Sequence, residues 1–182
     1  MRHLVFRLLL PLIGIAIGAS APAHAADGIL YEVKGGVLAH DVPDLWSGTR
    51  LERGVTVNGE VAFAPSVDVL WGTIRPAVGG SLATDGGTSY AYADLHWQIG
   101  GPAGLFFGIG IGGAVHDGKL GPTAPDQKAL GSRVLFHVPI EAGVEFADHY
   151  RASIYFEHVS NGYFASPNEG LDNLGVRFGY RF

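Results

Sequence analysis

The chain has no cysteine, which excludes both a disulfide framework and a thiolate metal site. It also lacks a basic run, and Lys and Arg together (12) are fewer than Asp and Glu (17), so nucleic acid is not an expected partner. Beyond the N-terminal segment, no uninterrupted apolar stretch is long enough for a membrane helix. Without cysteine or a close pair of histidines, we expect neither a metal site nor a cofactor.

The N-terminal segment has the features of an export signal. Two arginines, Arg2 and Arg7, precede an apolar stretch, and the segment ends in Ala-His-Ala at positions 23–25. This order of a basic region, an apolar region and a small-residue cleavage site is typical of a secretory signal peptide. We therefore interpret residues 1–25 as a signal peptide and expect residues 26–182 to form one exported domain.

The rest of the chain alternates between strand-like pieces and turn-rich pieces such as TDGGTS and DGKLGPTAPDQ. The strand-like pieces are roughly ten residues long, the length needed for a transmembrane β-strand. Eight are predicted, at approximately 29–40, 53–64, 69–82, 88–100, 104–116, 130–146, 149–160 and 171–182.

Within each predicted strand, one set of alternate residues is apolar and the other is polar. A soluble sandwich or barrel would turn the apolar set inward. The polar set, however, carries charges of both signs, which can pair inside a narrow eight-stranded barrel. The charged residues expected inside are Arg133, Glu141, Arg151, Glu157, Arg177 and Arg181. The sequence therefore predicts an all-β protein, an eight-stranded antiparallel transmembrane β-barrel with its apolar residues outside.

The chain ends in VRFGYRF, with Phe178, Tyr180 and the terminal Phe182 on one face of the last strand. A terminal aromatic residue with this alternation resembles the signal by which bacterial outer-membrane barrels are recognised for insertion. Together with the signal peptide, it predicts export through the periplasm to the bacterial outer membrane.

Three polar residues lie where the alternation calls for apolar ones, in HVSNGYFASPNEGLD at positions 158–172. Extending the apolar sets of the last two strands places His158, Ser160 and Asp172 on the lipid-facing side, at one end of the same hairpin. Residues two apart on a strand have Cα atoms roughly 6.5–7 Å apart, close enough for a side-chain hydrogen bond. A serine, a base and an orienting acid are the components of a serine hydrolase, although polar residues here can also simply mark the edge of the hydrocarbon layer.

The same segment resembles the active-site segment of the outer-membrane lipid A 3-O-deacylases, the PagL family. The shared pattern is His-x-Ser-Asn, then Asn followed by Gly, then an acidic residue at a fixed distance. The resemblance implies that His158 is the base, Ser160 the nucleophile and Asp172 the orienting acid. It further implies that Asn168 stabilises the oxyanion. Three further positions belong to the same pattern or loop: Asn161, Gly170 and Gly162, whose amide is a candidate second donor.

One position departs from the family pattern. The best-known members carry Glu at the acidic position, and Asp172 is one methylene shorter. Glu169, in the preceding loop, is a less well placed substitute for the orienting acid.

The resemblance implies an esterase that removes the 3-O-linked acyl chain from lipid A in lipopolysaccharide. A phospholipase or other lipid esterase is one alternative, because the triad does not identify the acyl donor. A non-catalytic structural or adhesion barrel is the second. A homodimer is compatible with the sequence.

The remaining histidines and the tryptophans have simpler interpretations. His96 and His137 fall on the polar side of their strands, and we expect them inside the barrel. Trp46, Trp71 and Trp97 are interpreted as interfacial or lipid-facing anchors.

Overall fold

A computed structural model describes residues 28–47 and 52–182 of the protein, most of them in one antiparallel sheet. The strands are β1 (Leu30–Ala39), β2 (Val55–Phe63), β3 (Val67–Val69), β4 (Gly72–Ala83), β5 (Tyr90–Gly100), β6 (Leu105–His116), β7 (Val134–Phe146), β8 (Tyr150–Ser160) and β9 (Leu171–Arg181). A short 3₁₀ turn, Pro102–Gly104, precedes β6. The predicted signal peptide, residues 1–25, lies outside the described residues.

The eight long strands close into a barrel. Each pairs with its neighbours along the chain, β2 pairs directly with β4, and β1 pairs with β9 to complete the ring. Closure leaves no unpaired edge among the eight long strands, so their backbone polar groups are satisfied without water. The predicted eight-stranded antiparallel barrel is therefore confirmed.

The three-residue strand β3 was not predicted. It pairs only with the start of β4, as an extension of that hairpin. The third predicted strand, 69–82, instead runs through a tight turn at Leu70 and Trp71, whose φ angles are 50° and 61°. Two consecutive positive φ angles suit a two-residue hairpin, but this conformation is normally adopted by Gly, Asn or Asp. Because Leu and Trp are not typical turn residues, the turn has no signal in the sequence. The prediction therefore continued the strand through it on the basis of alternation alone.

The apolar residues of the strands face outward, as predicted. On β7, Val134 and Phe136 are exposed, and Ile154 of β8 and Val176 of β9 continue the same apolar surface. The residues that alternate with them along each strand point into the barrel; Leu135, between Val134 and Phe136, is buried there. Among residues 28–47 and 52–182, no helix is long and apolar enough to cross a membrane.

The barrel interior contains paired charges beside a buried apolar cluster that includes Leu135, Val159 and Leu171. The Arg177 guanidinium lies 3.1 Å from a Glu60 oxygen and 2.6 Å from a Glu141 oxygen. The Lys34 ammonium group lies 3.1 Å and 2.9 Å from the same two carboxylates. Each of these four buried charges thus has an opposite charge within reach, which is required because an unpaired ion in the interior is costly.

The predicted set of interior charges is mostly correct. Glu141, Arg151, Glu157 and Arg177 are buried, while Arg181 is partly exposed at the rim, where it pairs with Glu145. The prediction for Arg133 was wrong. Arg133 is exposed, lies one residue before β7, and donates to the Gly118 carbonyl at 2.8 Å. Alternation assigns a side only inside a strand, and Arg133 stands just beyond the end of one.

The two ends of the barrel differ. At one end, β4 and β3, β5 and β6, and β7 and β8 are joined by short turns. At the other end, longer connections follow β1, β4, β6 and β8. The residues of 158–172 singled out in the sequence lie at the end with the longer connections, on the β8–β9 hairpin.

Candidate active site

The structure brings His158, Ser160 and Asp172 together. His158 on β8 and Asp172 on β9 are directly opposite each other in the strand register. Nδ1 of His158 lies 2.6 Å from Oδ1 of Asp172, and Nε2 lies 2.9 Å from Oγ of Ser160. The three side chains therefore form a continuous hydrogen-bonded chain from acid to base to hydroxyl.

The partners of the imidazole determine where its proton lies. An ionised carboxylate can only accept a hydrogen bond, so Nδ1 of His158 donates to Asp172. In the neutral ring, Nε2 is then the acceptor and faces the Ser160 hydroxyl. This tautomer is the one a general base needs in order to take the proton of an attacking serine.

The carboxylate of Asp172 is completely buried, with 0 % of its residue surface exposed. Its second oxygen, Oδ2, accepts hydrogen bonds from the backbone amides of Trp46 and Ser47, each at 2.6 Å. Three donors thus compensate for removing this charge from water. Because Asp172 is the cross-strand partner of His158, the shorter aspartate side chain reaches the imidazole directly.

Trp46 also covers His158. Its indole ring is stacked on the His158 imidazole, with ring centroids 4.7 Å apart and an interplanar angle of 18°. His158 faces outward from the sheet and is nevertheless only 7 % exposed. The interpretation of Trp46 as an interfacial anchor missed this contact. The sequence carries no local signal for it, since Trp46 is far from His158 along the chain.

The two asparagines of the motif play different structural parts. Oδ1 of Asn168 accepts the backbone amide of Asn161 at 2.9 Å, which fixes the direction of the Asn168 carboxamide. Asn161 uses its own side chain inside the loop: its Nδ2 donates to the carbonyls of Leu130 and Pro167, and its Oδ1 accepts the Tyr163 amide. The Asn161 side chain is therefore engaged in holding the loop that carries Asn168.

Both motif glycines occupy backbone conformations with positive φ, 61° at Gly162 and 63° at Gly170. A Cβ atom at Gly170 would lie 3.1 Å from Cε1 of His158 and 3.2 Å from Cβ of Ser47. Glycine at this position thus allows the loop to pass closely beside His158. At Gly162, which is exposed beside Ser160, a Cβ would press on the Phe136 ring.

Glu169 points away from His158, Ser160 and Asp172. Its Oε2 accepts the backbone amide of Ala129 at 2.6 Å, and its own amide donates to the Ala129 carbonyl at 3.3 Å. Glu169 therefore joins the β8–β9 loop to the β6–β7 connection, and Asp172 is the carboxylate bonded to His158.

Comparisons with known proteins concern the family and the fold of the chain. The family model described as "Lipid A 3-O-deacylase (PagL)" matches residues 54–181. Comparison with curated proteins gave no match. Among solved structures, the outer membrane enzyme PagL aligns with a TM-score of 0.61 at 19 % identity, covering 82 % of this chain and 99 % of the other. Neisserial surface protein A aligns with a TM-score of 0.55 at 8 % identity, covering 85 % of this chain and 98 % of the other. At these identities the two structural likenesses concern the fold.

Proposed function

Because the chain belongs to the lipid A 3-O-deacylase (PagL) family, an outer-membrane β-barrel enzyme family, we propose that it is a serine esterase that removes the 3-O-linked acyl chain of lipid A. The observation that carries the proposal is the hydrogen-bonded chain Asp172–His158–Ser160 on the outward face of the barrel. A lipid ester in the surrounding leaflet reaches such a site without leaving the membrane.

The proposed reaction begins at the Ser160 hydroxyl. Its oxygen attacks the ester carbonyl carbon while Nε2 of His158 takes the hydroxyl proton. Asp172 keeps the ring in the reactive tautomer and stabilises the imidazolium. Collapse of the tetrahedral intermediate breaks the bond to the sugar oxygen, which receives the proton from His158. Water, activated by the same base, then releases the fatty acid from Ser160.

The oxyanion formed in this reaction needs hydrogen-bond donors, and Asn168 is the proposed source. Its Oδ1 is occupied by the Asn161 amide, so the Nδ2 group is the free end of the carboxamide. Losing one such donor typically slows a hydrolase by about 10²–10³-fold. The Gly162 amide, in the turn directly after Ser160, is the proposed second donor.

Apolar rings flank the nucleophile. Phe136 is the cross-strand partner of Ser160 and packs against Phe164 with ring centroids 5.8 Å apart. Tyr163 and Phe164 are themselves highly exposed, at 88 % and 86 %. Exposed aromatic residues beside a polar site suit the boundary between lipid head groups and acyl chains.

The test is mass spectrometry of lipid A from membranes containing the wild-type protein or Ser160→Ala. We expect the wild-type protein to release one fatty acid from the 3-position, and the variant to release none while reaching the membrane in equal amount. Phospholipid is assayed alongside. Equal release by both proteins would disprove the serine mechanism, and release from phospholipid alone would disprove the proposed substrate.

A further inference from the structure

We propose that residues 41–47, here called the cover segment, position the catalytic base from outside the barrel, with Trp46 as the positioning residue. The proposal rests on the esterase function above and assigns a part to a region that the His-x-Ser motif does not include. It further assigns Lys128 as the anchor of the cover segment.

The outward position of His158 makes a cover necessary. On the inside of a barrel, neighbouring strands pack around a side chain, whereas on the outside a sheet leaves its side chains open. Rotation of the imidazole would break its contacts with both Asp172 and Ser160. The indole of Trp46 is stacked on the imidazole, with ring centroids 4.7 Å apart. The ring of Phe156 packs next to Trp46, with centroids 6.3 Å apart. These two rings restrict rotation of the imidazole on the outer face of the sheet.

The cover segment acts on the acid as well. Two of the three hydrogen bonds to the Asp172 carboxylate come from the amides of Trp46 and Ser47. The amide of Val42, near the start of the segment, donates to the Asp172 carbonyl at 2.7 Å. The segment is thus bonded to the side chain and the backbone of Asp172. Its position and the orientation of the His158–Asp172 pair are therefore linked.

A buried charge pair anchors the start of the cover segment. The Lys128 ammonium group lies 3.3 Å from Oδ1 of Asp41, and both residues are almost fully buried. Asp41 also accepts the Glu52 amide at 3.0 Å, and its own amide donates to Asn173, the neighbour of Asp172. A charge pair of this kind holds its two segments in one arrangement because separating it moves two buried opposite charges apart.

Lys128 belongs to three consecutive residues that connect both sides of the site. Lys128 holds the cover segment, Ala129 is bonded to Glu169, and the Leu130 carbonyl accepts from Asn161. Residues 128–130, here called the bridge segment, therefore contact the cover segment on one side and the loop carrying Asn168 on the other. The bridge segment fixes the distance between the acid–base pair and the proposed oxyanion donor.

The first test separates positioning from substrate binding. Trp46→Ala, Trp46→Phe and Trp71→Ala are compared by kcat and KM on lipid A, with Ser160→Ala as the inactive reference. We expect Trp46→Ala to lower kcat by about 10–10²-fold, as expected for a displaced catalytic group, with KM little changed. Trp46→Phe, which retains a stacking ring, restores most of kcat. Trp71, 93 % exposed on the β3–β4 turn, is the control and its loss leaves both constants unchanged.

Two results would overturn the proposal: a rise in KM at unchanged kcat in Trp46→Ala, or a Trp46→Phe variant as slow as Trp46→Ala. Absence of wild-type activity would instead count against the esterase function. A second test, by tryptophan fluorescence, does not depend on enzymatic activity and so separates the two proposals.

The chain has three tryptophans, so replacing Trp71 and Trp97 by Phe leaves Trp46 as the single indole fluorophore. We expect its emission to change when His158→Ala removes the stacked imidazole. We also expect it to shift to longer wavelength in Lys128→Met, as the cover segment moves into water. Emission unaffected by both substitutions would show that the cover segment is not held against the base, and would overturn the proposal.

Discussion

Two histidines on opposite faces of the same β7–β8 hairpin have opposite chemical surroundings. His137 on β7 points into the barrel opposite Val159, and His158 on β8 points outward opposite Val138, one residue away in register. The inner histidine lies between two carboxylates, with Nδ1 2.7 Å from Asp94 and Nε2 3.2 Å from Glu157. The outer one lies between one carboxylate and one hydroxyl.

The two histidines differ in the group that their Nε2 atom faces, and this group decides whether the ring can accept a proton. Both nitrogens of His137 face carboxylate oxygens, so both donate and the ring has no lone pair available to accept a proton. His158 has such a lone pair, directed at Ser160. Stacking does not distinguish the two, because Tyr92 covers His137 at 4.2 Å much as Trp46 covers His158. The partner of the second nitrogen thus decides whether an imidazole beside a carboxylate can accept a proton.

The largest expected effect is on the outer histidine. His158→Ala removes the base, and we expect kcat to fall by about 10⁴–10⁶-fold, the range for a lost member of a catalytic triad. Deacylation rates at equal membrane levels measure this, and the double variant with Ser160→Ala should be scarcely slower, since the residues act as a unit. Additive losses in the double variant would contradict a shared mechanism.

The acid of the outer site is next. Asp172→Asn retains the shape but offers Nδ1 no anionic acceptor, and we expect kcat to fall about 10⁴-fold. Asp172→Glu retains the charge, but its extra methylene must displace the amides of Trp46 and Ser47, which lie 2.6 Å away. A smaller loss, of up to about 10²-fold, is expected for this displacement. An Asp172→Asn variant with full activity would exclude Asp172 as the orienting group.

Substitution of the inner histidine, His137, should lower the stability of the fold and leave the catalytic rate unchanged. His137→Ala leaves the buried carboxylates of Asp94 and Glu157 without their shared donor, a change that typically costs about 3–5 kcal/mol. We expect the free energy of unfolding, measured in detergent with urea, to fall by this order, while the folded fraction keeps its catalytic rate. A folded His137→Ala protein that has lost deacylation would show that the two histidines are coupled across the sheet.

Glu52, beside the loops above the lumen, gives a smaller and pH-dependent effect. Burial opposes ionisation of Glu52, but hydrogen bonds from His40 and from the amides of Thr88 and Lys128 outweigh it and hold the pKa of this carboxyl below its ordinary value. Its ionised form therefore stabilises the fold at neutral pH, and this contribution is lost as the pH falls through the folded-state pKa.

The corresponding variant is Glu52→Gln. We expect it to lower the free energy of unfolding by about 1–3 kcal/mol at neutral pH, as for hydrogen bonds to a charged group, and by less in acid. Unfolding curves of both proteins across the acid range measure the difference. A difference that grows as the pH falls would contradict the assignment.

The smallest effect is expected at Glu169. In Glu169→Gln the side-chain carbonyl can still accept the Ala129 amide, so we expect kcat to change by no more than about threefold, or ~0.7 kcal/mol. Parallel rate measurements with Asp172→Asn provide the contrast. An inactive Glu169→Gln beside an active Asp172→Asn would identify Glu169 as the acid.

Much of this molecule follows from short-range patterns in its sequence. Side chains alternate between the two faces of a strand, so the segregation of Glu141 and Arg177 from Val134 and Phe136 predicted the faces of the barrel. The same alternation placed His158, Ser160 and Asp172 on one face. It failed at Trp71 and at Arg133, where the chain leaves regular strand geometry.

The sequence by itself thus determined the eight long strands, their inner and outer faces, and the placing of an outward His beside an outward Ser and Asp. Only the tertiary structure decided what surrounds them. Closure of β1 against β9 brings Trp46 and Ser47 beside Asp172, and the bridge segment brings Lys128 to Asp41. These contacts join residues far apart in the chain through loops without periodicity. A repeat in the sequence encodes which face a residue takes, whereas the position of a loop depends on the closed barrel beneath it.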